Sequence, residues 1–335
     1  MKIKRVDYLS KDSALNEDNE SKFSIRPLAF DDYIIDKKII DNVKTSIKAS
    51  KIKNESLDHI LLYGPPGVGK TTLAYIIAQE MNVNIKTTSG TVLLKPSDLV
   101  GILTSLNTND ILFIDEIHRM RTNVAEYLYT AIEDFRIDVI INNSSKSHSL
   151  QLSLNRFTLI GATTCLGMLP APLRSRFGIN INFDYYSIDL LLKIIIRNSK
   201  ILNINITDEA AYQIAIRSRG TPRIVNHLLK RIRDIAIVEN QSTITEQLAI
   251  KGFNLLNIDE LGLTEIDNKI LKVLVKNFHG GPAGIESLAI SCNEDMNTIE
   301  NMYEPYLIYI DFIQRTPRGR IATIKAIDYV LNNSK

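Results

Sequence analysis

The chain has 335 residues, room for two or three domains, with 44% hydrophobic and 23% charged residues and a formal net charge of +2. These are ordinary proportions for a soluble globular protein. No apolar run reaches the ~18 residues of a membrane span, and Met1-Lys2-Ile3-Lys4-Arg5 leads into polar residues, not an apolar signal core, so a cytoplasmic protein without membrane contact is expected. Cys165 and Cys292 are too few for a disulfide framework, and the five histidines show no paired zinc spacing.

Residues 1–24 are polar and aperiodic and are expected to be a flexible segment. From 25 to 184, apolar strands alternate with amphipathic helices, which predicts a large α/β domain on a parallel sheet in three layers. Its strands are placed at Ile60–Tyr63, Ile111–Ile114 and Phe157–Ala162, each a short, nearly continuous apolar run suited to burial on both faces. Within this domain Ile137, Val139 and Ile141 alternate, Asn142-Asn143-Ser144-Ser145 breaks the run, and Leu150, Leu152 and Leu154 alternate again. That predicts a β-hairpin over 137–154, lying on the domain or projecting as a docking surface. Residues 185–257 read as a small four-helix module: a helix over Asp189–Asn203, a capping signal at Thr207-Asp208-Glu209, and Thr221-Pro222-Arg223 opening another helix. The last unit, 258–335, reads as helices over 264–277, 284–290 and 295–304, then strands over Ile308–Gln314 and Ile321–Ala326 around Thr316-Pro317-Arg318-Gly319. This is a winged-helix pattern. It holds 8 Lys/Arg against 11 Asp/Glu, a balance of −3, yet Phe312–Ala326 contains Arg315, Arg318, Arg320, Lys325 and no acid. A basic island on an acidic module suits contact with a polyanion, and a solvated turn is the other reading.

Gly64-Pro65-Pro66-Gly67-Val68-Gly69-Lys70-Thr71 matches G-x-x-x-x-G-K-[ST], the phosphate-binding loop, between an apolar strand and a helix. The glycines Gly67 and Gly69 let backbone N–H groups cradle ATP phosphates at a helix N-terminus, Lys70 adds charge, and Thr71 offers a hydroxyl to Mg²⁺. Asp115 and Glu116 end the strand Leu112-Phe113-Ile114, where Asp115 can hold the metal's water shell and Glu116 can act as general base. Thr163, ending Ile160-Gly161-Ala162, can orient the lytic water, although β-propensity alone also places threonine there. Leu173-Arg174-Ser175-Arg176-Phe177 carries two arginines. One of them supplied to a phosphoryl-transfer site from outside can raise the rate about 10³–10⁵-fold, and a solvated surface pair is the alternative. Gly220-Thr221-Pro222-Arg223 could aim Arg223 at the nucleotide or simply open a helix.

The order GPPGVGKTT, LFIDEIHR, GATT, LRSRFG, RGTPR resembles the AAA+ ATPases. TTSG at Thr87–Gly90, DEIHR at Asp115–Arg119, SRFGI at Ser175–Ile179, and EPYLI with QRTPRGR resemble more closely the bacterial RuvB family, Holliday-junction branch-migration motors, from about Ile25 to Ala326. The resemblance implies an AAA+ P-loop domain, a helical lid and a winged-helix head. It also implies ATP hydrolysis with Mg²⁺, duplex or junction DNA as partner, and a hexameric ring of identical subunits. It implies adenine-side contacts from Ile25 and Arg26 and phosphate-loop roles for Gly67, Lys70, Thr71 and Thr72. Glu133, Asp134 and Phe135 fall in a nucleotide-proximal segment, Arg176 matches the finger inserted into a neighbour's site, Tyr186 and Arg223 match lid contacts, and Arg315 and Arg320 match DNA-backbone contacts. The 137–154 hairpin occupies the RuvA-binding position, with a RuvC-type resolvase joining in a larger complex. Three positions depart from the family pattern: Cys165 after GATT, a hairpin that ends without prolines, and Asp311 beside the basic wing. The alternatives are a clamp loader, expected to end in an all-helical collar, an initiator-type helicase loader, and a nucleotide-regulated DNA-binding scaffold.

Overall fold

The computed structural model describes residues 25–143 and 146–333. The predicted flexible segment 1–24, the hairpin tip Ser144-Ser145 and the side chains of 139–149 lie outside the described residues. The rest falls into two bodies. One runs through Tyr186 and takes in Lys200–Asn203, and the other comprises Ser187–Ser199 and Ile204 onward.

In the first body, α1 spans Lys37–Lys53. Its start is fixed by the Asp36 carboxylate accepting the Lys38 amide, and its end by Asn54 in the left-handed region. Then follow β1 (Ile60–Tyr63), α2 (Lys70–Met81, ended by Asn82 at φ 56°), β2 (Ile85–Ser89), α3 (Pro96–Thr104), β3 (Ile111–Asp115) and α4 (Thr122–Glu133). The hairpin follows as β4 (Arg136–Asn143) and β5 (Lys146–Ser153), then β6 (Thr158–Thr163), α5 (Ala171–Arg174) and β7 (Ile179–Asn182). The sheet is parallel throughout, in the order β2-β3-β6-β1-β7. The predicted central strands are therefore found, and two more, β2 and β7, form the edges. Because β6 pairs with both β1 and β3, the ends of these three strands open on one rim, where open α/β sheets bind ligands. Leu61, Leu112, Ile114 and Leu159 pack with Leu99, Leu103, Val124 and Leu128 from α3 and α4. The hairpin's root joins that core through the buried Ile137, with Leu152 and Leu154 packed against it, whereas Leu150 is exposed.

His59, just before β1, ties three elements of this body together. Its Nδ1 accepts from the Leu159 amide at 3.0 Å, and its Nε2–H donates to the Ile132 carbonyl at 3.0 Å. The Nδ1 acceptor bond requires the neutral ring, and burial lowers the pKa from 6.5. The unfolded chain therefore takes up the proton more readily, so this stabilising contribution is intact above pH 6.5 and declines as pH falls below it. Thermal unfolding should occur at progressively lower temperature on acidification, with a slope from this residue of at most about 1.4 kcal/mol per pH unit. His59→Asn, which keeps an acceptor near the Nδ1 position and cannot titrate, should flatten that slope. An unchanged acid slope in the variant refutes the assignment.

The second body opens with α6 (Ile188–Ile201), β8 (Asn205–Ile206), α7 (Asp208–Arg217), α8 (Pro222–Val238), β9 (Thr243–Ile244) and α9 (Glu246–Leu255). The four predicted helices are present. Thr207 accepts the Ala210 amide as the cap of α7, Pro222 sits in the first turn of α8, and Val225, Leu228, Leu229, Ile232 and Ala236 bury one stripe. The body continues with α10 (Glu265–Lys272, followed by a π-helical turn Val273–Asn277), α11 (Ile285–Cys292), α12 (Met296–Thr298), a second π turn (Ile299–Tyr303) and α13 (Glu304–Tyr309). It ends with β10 (Ile313–Thr316), β11 (Gly319–Ala322) and α14 (Ile324–Asn332). The wing is thus shorter than predicted. Ile308–Tyr309 remain helical because Pro305 lies in the first turn of α13, where proline costs nothing. Thr323 caps a further helix by accepting the Ala326 amide, so the predicted strand to 326 stops at Ala322.

Candidate nucleotide site and nucleic-acid interface

The β1–α2 loop curls with Gly64, Gly67 and Gly69 at φ 141°, 80° and 101°, a backbone that side-chain-bearing residues rarely adopt. Lys70 is buried to 7% exposure, and its Nζ donates to the Gly64 and Pro65 carbonyls at 2.8 Å each, so the cation is held inside the curl. Thr71 and Thr72 lie in the first turn of α2. Arg26 stacks 4.8 Å over the Tyr75 ring and its Nε–H donates to Thr72 Oγ1 at 3.2 Å, while Ile25 is buried. The loop is clasped from its carbonyl side by two tyrosines. Tyr186 donates to the Val68 carbonyl at 3.0 Å and Tyr33 to the Gly69 carbonyl at 3.1 Å, and burial raises both phenol pKa values. Tyr33 was not distinguishable in the sequence, because an aromatic beside Phe30 reads as ordinary core.

Asp115 ends β3, and one of its oxygens accepts the Glu116 amide at 3.0 Å. Glu116 sits at φ 45°, ψ 47°, a left-handed conformation that costs a non-glycine residue about 1–3 kcal/mol. Gly90 accounts for its persistence: a Cβ there would lie 2.4 Å from the Glu116 carbonyl oxygen, so only glycine ending TTSG admits the turn. The turn aims the carboxylate past the end of β6, where Glu116 Oε2 accepts from Thr164 Oγ1 at 3.0 Å. Thr163, the predicted water-orienting hydroxyl, is fully buried. Its Oγ1 lies 2.8 Å from His118 Nδ1 and accepts the Cys165 amide at 3.0 Å. The hydroxyl that reaches the carboxylate is therefore that of Thr164. His118, also passed over in the sequence, has Nδ1 3.2 Å from Glu116 Oε2. Burial lowers its pKa, with Glu116 opposing, so at neutral pH it stands beside the acid as a neutral ring. GATT contained the signal, and only the pairing of β3 with β6 selects which threonine matters.

Arg176 is gathered elsewhere in this body. Its Nε–H donates to Glu133 Oε2 at 3.0 Å, its Nη1 donates to the Pro172 carbonyl at 2.6 Å, and the guanidinium lies 5.3 Å over Tyr129. Arg174 is exposed. Glu133 and Asp134 end α4, and Phe135 turns back at φ 53° to pack edge-on against Phe157. A cavity of about 330 Å³ has Phe135, Arg156 and Arg176 in its wall and no residue of the phosphate loop. Within this body the predicted nucleotide contacts thus fall into two groups, Ile25, Arg26, Thr72 and Tyr186 around the loop, and Glu133 to Arg176 around a cavity that no loop residue lines.

In the second body Arg223 is exposed in the first turn of α8. The wing is more constrained than its basic sequence suggested. Arg315 and Arg320 are direct cross-strand partners, a like-charge pairing that would repel without an anion between them. Glu304, 1% exposed on α13, supplies that anion. Its Oε1 accepts both Nε–H groups at 2.9 Å, and its Oε2 accepts from Arg315 Nη2 at 2.9 Å and Arg320 Nη2 at 3.1 Å. Glu300 adds a second carboxylate 3.2 Å from Arg320 Nη2. EPYLI and QRTPRGR are therefore two halves of one construction. Asp311 takes the left-handed turn position before β10, at φ 60°.

Comparison with known proteins agrees with this anatomy. Family models match in series: the Holliday junction DNA helicase RuvB P-loop domain over residues 25–183, the RuvB AAA lid domain over 186–259, and the RuvB C-terminal winged helix domain over 260–331. The Holliday junction branch migration complex subunit RuvB of Chlorobium chlorochromatii is 55% identical over 309 residues, 92% of this chain and 88% of that protein. Its counterpart in Salinibacter ruber is 49% identical over 329 residues, covering 98% and 95%. The solved structure of the Thermotoga maritima RuvB Holliday junction branch migration motor superposes with a TM-score of 0.84 at 46% identity, covering 92% of this chain and 98% of that one.

Proposed function

The chain belongs to the RuvB family, and from that premise we propose that it is an ATP-driven ring motor that moves Holliday junctions by translocating duplex DNA. One observation carries the hydrolytic part: β1, β6 and β3 end on a common rim, bringing Lys70, Thr164 and Glu116 to it, with Glu116 hydrogen-bonded to Thr164. Glu116 takes the proton of the attacking water, Thr164 holds its carboxylate in line, and Lys70 bears against developing phosphate charge. Thr71 and Asp115 are hard oxygen donors suited to Mg²⁺, and Asp115 has a second oxygen besides the one accepting the Glu116 amide. These two side chains would hold the ion, which would supply positive charge against the phosphates. Arg223 is the lid's reader of the nucleotide, and Arg176 serves a neighbouring subunit's site in a hexamer. The 137–154 hairpin docks a RuvA-type junction-binding protein, and the exposed Leu150 suits such a contact.

The test is dissociation of a labelled four-way junction by the pure protein, with and without ATP and a RuvA-type partner. Dissociation that requires ATP and rises with the partner is expected. ATP hydrolysis indifferent to DNA, with the junction intact, overturns the proposal. In a duplex-binding titration the wing must be altered with Glu304 in mind, since removing both arginines alone orphans a buried carboxylate, a loss of about 3–5 kcal/mol. Arg315→Ala, Arg320→Ala and Glu304→Gln together should lower the slope of log affinity against log salt by up to about 2, at ~0.9 per phosphate contact. An unchanged slope removes the wing from DNA contact.

A further inference from the structure

We propose that Arg219 is a latch joining the nucleotide-reading turn of the lid to the DNA-gripping wing, so that both belong to one lever. The proposal rests on the function above, in which Arg223 reads nucleotide and Arg315 and Arg320 hold DNA.

Arg219 and Gly220 form the turn between α7 and α8, at φ 49° and 66°, and Arg223 stands four residues on. A left-handed arginine persists only where its surroundings over-determine it, and here they do. The Arg219 Nε–H donates to the Gly262 carbonyl at 2.7 Å, on the segment leading into α10. Its two terminal nitrogens fork onto the two oxygens of Asp267, and its plane lies 5.0 Å over the Tyr306 ring of α13. Asp267 has no exposed surface and accepts the Thr264 amide at 2.8 Å, so the receiving carboxylate is fixed to the start of α10. Tyr306 is fixed too, its hydroxyl donating to the Leu261 carbonyl at 2.9 Å. Two residues before Tyr306 stands Glu304, the carboxylate shared by Arg315 and Arg320. A series of fixed groups therefore runs from the Arg219 turn, four residues before Arg223, through Asp267 and Tyr306 to Glu304 and the wing.

The fork is what a coupling element needs. A guanidinium met by two carboxylate oxygens, a carbonyl and a ring face has one good arrangement, so a displacement of the α7–α8 turn is passed to α10 and α13 instead of being absorbed. By linkage, the factor by which nucleotide alters DNA affinity must equal the factor by which DNA alters nucleotide affinity, and both pass through this contact.

The test uses the full chain carrying Arg219→Met with Asp267→Asn, which removes both charges so that neither is left buried alone. Duplex affinity without nucleotide and ATP hydrolysis without DNA should stay near wild type. The shift in duplex affinity produced by a non-hydrolysable ATP analogue, a coupling on the order of 5–150-fold, should collapse towards unity, and the stimulation of hydrolysis by DNA should be lost with it. Full stimulation in the variant beside a stimulated wild type overturns the latch alone. Absence of stimulation in the wild type overturns the function reading and the latch with it. If the double variant does not assemble, Arg219→Lys decides the matter: it keeps the charge without the fork, and undiminished stimulation in it refutes the latch.

Discussion

Arg176→Ala is expected to bind ATP normally and to lose turnover by about 10³–10⁵-fold, the range of an arginine that stabilises phosphoryl-transfer charge from outside the site. The geometry explains why the loss should be catalytic and not structural. The Arg176 side chain is 28% exposed, its partner Glu133 is 60% exposed, and such an exposed pair contributes at most about 1 kcal/mol. The exchange of Glu133 for a neighbour's phosphate is therefore cheap, and the cavity beside Arg176 includes no part of its own phosphate loop. A second measurement separates action across subunits from action within one. Rings mixed from Arg176→Ala and Glu116→Gln subunits, each inactive alone, should regain hydrolysis wherever an intact Glu116 site faces an intact Arg176. Mixed rings as inert as their parents, or Arg176→Ala hydrolysing at the wild-type rate, refute the finger.

Much of this was legible in the chain because its chemistry is local. The phosphate loop lies within eight consecutive residues, the acids end a continuous apolar run, and β1, β3 and β6 are buried on both faces. The edge strands β2 and β7 escaped because Ile85-Lys86-Thr87-Thr88-Ser89 and Ile179-Asn180-Ile181-Asn182 are half-solvated and lack such a run. Helix ends were also hidden, because asparagine supplies them: Asn54, Asn82 and Asn293 take the left-handed position usually given to glycine. What stayed hidden is what tertiary pairing creates. No spacing announces that Thr164 rather than Thr163 faces Glu116, that Tyr33 clasps Gly69, or that one glutamate in EPYLI holds both arginines of the wing.

Glu116→Gln is expected to assemble and bind ATP as wild type does while hydrolysing it about 10²–10⁴-fold more slowly, the usual contribution of a positioned base. Glutamine keeps the length of the side chain and an oxygen that can still accept from Thr164, so the strained turn at φ 45° and its seat against Gly90 survive. Only the capacity to take a proton from water is lost. Thr164→Val provides the complementary result, because its branched side chain fills the same space without donating, leaving the acid in place but free to swing. Its turnover should fall while the apparent affinity for ATP holds, and a Glu116→Gln, Thr164→Val double variant should be little worse than Glu116→Gln, since the threonine acts through the acid. Losses that multiply in the double variant would show the two residues to act separately, and a Glu116→Gln ring that hydrolyses at the wild-type rate would remove the base from Glu116 altogether.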